Sequence, residues 1–220
     1  MQLTSLQRQL EAVYDLDCGH RVEDFLLTDR ATAKAIGGCA ALSGTPEALL
    51  VRQDGEHLDI SLYLDEALLG RLSRFDPSAG VDTPFINDLC VAVEGVSHFL
   101  YLIWNAGYQR PVTQLELELQ AEVDKFVTWV LLIDEGESRG LGDGVHHALF
   151  GRYRLREDLT EDQRTRYRRA NELASRYCRS LLGSLSGRPR GRVLTELRRF
   201  YRMTQRGKIR HIQATSGPRH

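Results

Sequence analysis

Leu3, Leu6, Leu10 and Val13 recur at helical spacing and predict a short amphipathic helix at the start of the chain. The apolar-rich run 21–27 predicts a short strand. Thr28 and Asp29 then offer a cap for a helix through Ile36, stopped by Gly37 and Gly38. The clearest two-residue period comes next. Residues 48–53, the dipeptide Asp54-Gly55 and residues 57–64 predict a β-hairpin, because Asp-Gly readily forms the tight turn such strands need. In the second arm Leu58, Ile60, Leu62 and Leu64 alternate with Asp59, Ser61 and Tyr63, so one face is expected to be buried. Helical spacing resumes over 65–75 and ends in the loop 76–84, which holds Pro77, Gly80 and Pro84.

From Phe85 the pattern is almost wholly helical. Helices are predicted at 85–106, 112–134, 143–153, 160–183 and 190–212, broken at Gly107 with Pro111, at 136–144 and at 183–191. Thr160 and Gln163 have the spacing of a capping box for the fourth. The expected fold class is α+β, predominantly helical. Residues 1–84 form an α+β portion around the hairpin 48–64, residues 85–213 a helical portion interlocked with it or separate, and 214–220 a frayed tail.

Composition adds little until charge is divided along the chain. Residues 1–149 carry 10 basic and 24 acidic side chains, whereas residues 150–220 carry 19 and 6. An acidic body is thus joined to a basic end, which points to an anionic partner or to the two halves folding against each other. The first ten residues lack the apolar run of a secretion signal, and the stretch 89–104 is expected to be too short for a bilayer and contains Glu94 and His98. Cys18, Cys39, Cys90 and Cys178 form no Cys-x-x-Cys pair and read as free thiols. A cytoplasmic protein with no membrane partner is expected.

Two side-chain constellations carry candidate chemistry. On the helix 85–106, at about 100° per residue, Asn87, Glu94, His98, Tyr101 and Asn105 fall within an arc of roughly 60°. Val93, Val96, Leu100, Ile103 and Trp104 fill much of the rest, and Gly95 permits close backbone approach. A polar stripe on a buried helix needs a partner, since burying a lone carboxylate is costly. Glu116 and Glu122 flank the core face of the next helix and Glu118 lies farther out, so a carboxylate–histidine centre is one reading. There Glu94, His98 and Glu122 would hold a divalent transition metal or act as acid and base, with Tyr101 as a hydrogen-bond donor. The other reading is a buried polar network.

The second constellation is a row of arginines. Arg192, Arg199, Arg202, Arg206 and Arg210 span roughly 80° of one helix if 190–212 is continuous. A guanidinium is a planar fork suited to carboxylate and phosphate. The leading expectation is a binding or adaptor protein that uses this face against an acidic protein surface or anionic ligand. Pairing with the chain's own acidic half and binding of nucleic acid are the alternatives.

Weaker signals complete the picture. The glycine-rich run 136–144 lacks the Lys-Ser/Thr ending of a phosphate loop and reads as an interhelical turn. Asp15, Asp17, Cys18 and His20, followed by Glu23 and Asp24, could form a metal clip but lack regularly spaced further ligands. His146 and His147 are adjacent on a helix and so diverge.

Overall fold

The structure, a computed structural model, describes residues 2–37, 44–55, 57–74, 83–133, 141–151, 155, 157–185 and 190–215. Cys39, most of the glycine-rich run and residues 216–220 lie outside them. The fold is predominantly helical α+β, as the sequence pattern predicts. Helix α1 (Leu3–Tyr14) buries the predicted face and Tyr14 with it, and ends at Asp15, whose φ of 53° is left-handed. The predicted strand over 21–27 is mostly a 3₁₀ turn, Val22–Phe25, followed by the two-residue β1 (Leu26–Leu27). The Gln7 side chain fixes that turn: its carbonyl accepts from the Val22 N–H at 2.8 Å and its amide donates to the His20 carbonyl at 2.7 Å. Helix α2 (Arg30–Gly37) begins as expected, with the Asp29 carboxylate accepting the Thr32 N–H at 2.7 Å.

Strands β2 (Glu47–Asp54) and β3 (His57–Leu64) form the predicted hairpin, paired from Glu47 with Leu64 to Asp54 with His57. Gly55, at φ 58°, supplies the positive φ that the tight turn requires. Strand β1 adds in parallel to β3, giving the order β1-β3-β2. Strand alternation puts Glu47, Leu49, Leu62 and Leu64 on one face and Leu50 and Tyr63 on the other. Leu62 and Leu64 are fully buried as predicted, but so is Tyr63, packed with Leu50 and Ala33 of α2. The sheet is covered on both faces at its inner end.

Helix α3 (Glu66–Ser73) is capped by Asp65 and leads to α4 (Thr83–Gly107), the central helix. By length and composition α4 is the one helix among the described residues that could cross a membrane, and 56% of its most apolar window is buried inside the protein. Its 25 residues exceed the apolar stretch that sequence alone suggested was too short. Helix α5 (Gln114–Val127) starts with a capping box between Thr113 and Glu116 and continues as a π-helical segment, Thr128–Ile133. Over the predicted helix 143–153 the chain forms α6 (Leu141–His146) and a π-helical turn, His147–Gly151. Helix α7 (Glu161–Leu185) carries the predicted box: the Thr160 N–H donates to the Gln163 side chain at 2.9 Å, and the Gln163 N–H returns to Thr160 Oγ1 at 3.3 Å.

The predicted helix 190–212 is two helices, α8 (Arg190–Tyr201) and α9 (Gln205–Thr215). Thr204 restarts the helix, its hydroxyl accepting the Gly207 N–H at 3.3 Å. Residues 214 and 215, expected in the frayed tail, belong to α9. One hydrophobic cluster joins residues of α1, β3, α3, α4, α5, α7, α8 and α9, from Leu3 to Ile212.

The break at residues 202–204 lets α9 turn Lys208 inward. Lys208 is fully buried, donating to Gln120 Oε1 at 2.6 Å with its ammonium 4.3 Å from the Tyr101 ring centre and 5.0 Å from that of Phe200. Gln120 donates to Asp124 at 2.8 Å, and Asp124 also accepts from Ser97 at 2.6 Å and from the Tyr14 hydroxyl. This polar chain ties α1, α4, α5 and α9 together through the core. Burial lowers the Lys208 pKa to about 7 and raises that of Asp124 to about 6, because both charged forms lose water.

Candidate functional site

Gly95 is the point where the sheet meets α4. A Cβ there would lie 3.1 Å from Leu62 Cδ1, 3.2 Å from Glu47 Cγ and 3.3 Å from Leu64 Cδ2. The glycine therefore seats the inner end of the hairpin directly on the helix, one residue from Glu94 and three from His98. Glu47, at the start of β2 and on the helix-facing side, reaches His98 Nδ1 at 3.2 Å. Ligand atoms of Glu47, Glu94 and His98 lie within 4.8 Å of one another, the only such trio among the described residues. His98 Nε2 is buried with no hydrogen-bond partner.

Helices α5 and α7 complete the surroundings. Lys125 Nζ bridges Glu94 at 2.7 Å and Glu122 at 2.9 Å, and Arg166 Nε stands 3.7 Å from Glu118. Burial alone would lower the His98 pKa, but Glu47, Glu118 and Glu94 outweigh it and hold it up at about 9. Burial raises Glu118 to about 7 and pushes Glu47 up even against the His98 charge, so the Glu47–His98 pair retains a proton firmly. Burial also opposes ionisation of Glu94, yet Lys125 wins and lowers its pKa.

The predicted stripe on α4 thus divides. Glu94 and His98 converge, as the helical wheel suggests. Tyr101 instead faces Lys208 and the Tyr201 ring, whose centroid is 5.0 Å away, and so belongs to the polar chain around α9. The Asn105 side chain donates to the Tyr101 carbonyl at 2.7 Å, and Asn87 is exposed. Glu122 enters only through Lys125, and Glu47 takes the place beside His98 that the sequence reading gave it. One signal could have found Glu47: extended back by two residues from Leu49, the strand alternation puts it on the covered face.

The other candidates separate. Cys18 Sγ contacts Glu11 Oε1 at 3.3 Å and the His20 carbonyl at 3.0 Å, and burial pushes its thiol up to about 11, so it is no thiolate at neutral pH. The His20 ring packs edge-on against Phe25. Asp15, Asp17, Cys18 and His20 form no metal-sized group among the described residues. His146 is buried with Nε2 2.9 Å from the Ser175 carbonyl oxygen, while His147 is exposed.

Among the arginines the structure makes a clear division. Arg202 donates to the Tyr14 carbonyl at 3.0 Å and the Asp15 carbonyl at 2.9 Å, and Arg198 donates to the Val13 carbonyl at 3.1 Å. The two guanidiniums satisfy carbonyls left open at the end of α1 and lie at the negative end of its dipole. Arg192, Arg199, Arg206 and Arg210 are exposed, and no carboxylate among the described residues pairs with them. They sit two on α8 and two on α9, so the single continuous row read from the sequence is divided by the turn.

The chain is therefore an α+β protein with a buried carboxylate–histidine centre and an arginine-bearing pair of C-terminal helices. No known protein family matches it, and neither a curated protein nor a solved structure does so.

Proposed function

We propose that the protein is a cytosolic binding protein whose helices α8 and α9 dock an acidic protein surface through Arg192, Arg199, Arg206 and Arg210. The observation that carries this reading is their state: four exposed guanidiniums with no ion-pair partner among the described residues, in a chain that elsewhere pairs Arg166, Arg179 and Arg198 with its acidic half. Self-pairing thus accounts for some C-terminal arginines and leaves these four available. Guanidiniums form directional two-bond pairs with carboxylates. Their division between two helices speaks against an unbroken row tracking a phosphate backbone. The free thiols of Cys18, Cys90 and Cys178 fit a reducing compartment.

The test is fluorescence anisotropy with labelled polyglutamate and, separately, a labelled nucleic-acid duplex, for the wild type and for the combined variant Arg199→Glu, Arg206→Glu, Arg210→Glu. Polyglutamate should bind in a salt-sensitive manner and lose at least about tenfold in the variant, with the unfolding midpoint unchanged. Absence of polyglutamate binding would overturn the reading. Stronger, arginine-dependent binding of the duplex would replace it with the nucleic-acid one.

A further inference from the structure

We propose that Glu47, Glu94 and His98 form a binding site for one divalent transition-metal ion that clamps the β-hairpin to the central helix. This is independent of the arginine surface and rests on different residues.

Three observations converge. The first is geometry: the donor atoms already lie within 4.8 Å of one another, and Glu47 Oε1 is 3.2 Å from His98 Nδ1. An ion holding nitrogen and oxygen ligands at about 2.0–2.2 Å sets them roughly 3.0–3.6 Å apart, so only a small contraction is needed. Glu94 can supply it, because Lys125 engages its Oε2 and leaves the other oxygen for an ion. The second is the imidazole: His98 is 8% exposed and turns Nδ1 towards Glu47, while Nε2, on the other side of the ring, has no partner.

The third is charge. Glu47, Glu94, Glu118 and Glu122 are four carboxylates gathered about two fixed cations, Lys125 and Arg166. The carboxylates outnumber these two cations even with the proton that Glu47 and His98 share, and a divalent ion would displace that proton as it binds. One imidazole with carboxylates selects zinc, manganese, iron or cobalt over calcium and magnesium. Glu47 and His98 are almost fully buried, and the Glu94 side chain is only 23% exposed. Three protein ligands leave the ion a further position for water while it bridges β2 to α4 across the approach that Gly95 permits.

The test is titration of chelator-treated full-length protein with Co²⁺, read by its visible d–d absorption, followed by Zn²⁺ competition and thermal unfolding. The wild type should take up one Co²⁺ per chain, release it to Zn²⁺, and melt several degrees higher with Zn²⁺ present. His98→Gln and Glu94→Gln should each bind at least tenfold more weakly. Glu94→Gln is the safer variant, since its partly exposed side chain can still accept from Lys125. Absence of d–d bands in the wild type at millimolar Co²⁺ would overturn the proposal. So would unchanged Co²⁺ affinity in folded Glu94→Gln, or equal displacement by Mg²⁺.

Discussion

Replacing Lys208 by methionine isolates the least comfortable charge in the molecule. Lys208 is fully buried, with one hydrogen bond to Gln120 and aromatic faces on Tyr101, Phe200 and Tyr201. Burial is the largest influence on it; Asp124 and Glu116 oppose that effect and Arg110 adds to it. Its pKa falls from 10.5 in the unfolded chain to about 7 in the fold. Between these values the unfolded state binds the extra proton, so stability rises with pH and is lost as pH falls towards about 7. A fall from 10.5 to about 7 is worth at most about 5 kcal/mol at ~1.4 kcal/mol per pH unit. Asp124, at about 6 beside Lys208, keeps its bonds to Ser97, Tyr14 and Gln120 in the variant, where losing the Lys208 charge moves it upward.

Urea unfolding of wild type and Lys208→Met at steps from about pH 7 to pH 10 measures the effect as a difference, in which groups common to both proteins cancel. The wild type should gain at least about 2 kcal/mol more than the variant across that range. Parallel curves would refute the reasoning, since they would mean that Lys208 keeps an ordinary pKa and that the aromatic enclosure costs its charge nothing.

Two further substitutions test how the parts are held together. Gly95→Val forces two added methyl groups against Leu62, Leu64 and Glu47, where even a Cβ would sit at 3.1–3.3 Å. It should lower stability by about 1–3 kcal/mol in urea unfolding, and a neutral result would show that the hairpin does not press on α4 at this point. Arg202→Ala removes two bonds to the end of α1 and should cost about 1–3 kcal/mol, whereas Arg199→Ala should leave the midpoint within about 0.5 kcal/mol. Equal effects of the two would dissolve the distinction between anchoring and free arginines.

The sequence by itself determined what depends on neighbours along the chain. The hairpin follows from alternation and Asp54-Gly55, the starts of α2 and α7 from Asp29 and from Thr160 with Gln163, and the central helix from its apolar run. The shared face of Glu94 and His98 was also legible, since helical period alone fixes it, and Gly95 showed where a neighbour could come close but not which one. The tertiary structure decided whatever needs a partner from far away. Glu47 meets His98 across 51 positions because the sheet packs on α4, and no local pattern encodes that docking. The split of 190–212 was hidden because the apolar spacing runs through the break, although Thr204 is a cap; the turn is held from far along the chain, where Arg110 donates to the Arg202 carbonyl at 3.1 Å and the Thr113 hydroxyl donates to the Gln205 side chain. Likewise, Arg202 and Arg206 look alike on a helical wheel. Only the end of α1, folded beside the first and not the second, gives one guanidinium carbonyls to hold and leaves the other to solvent.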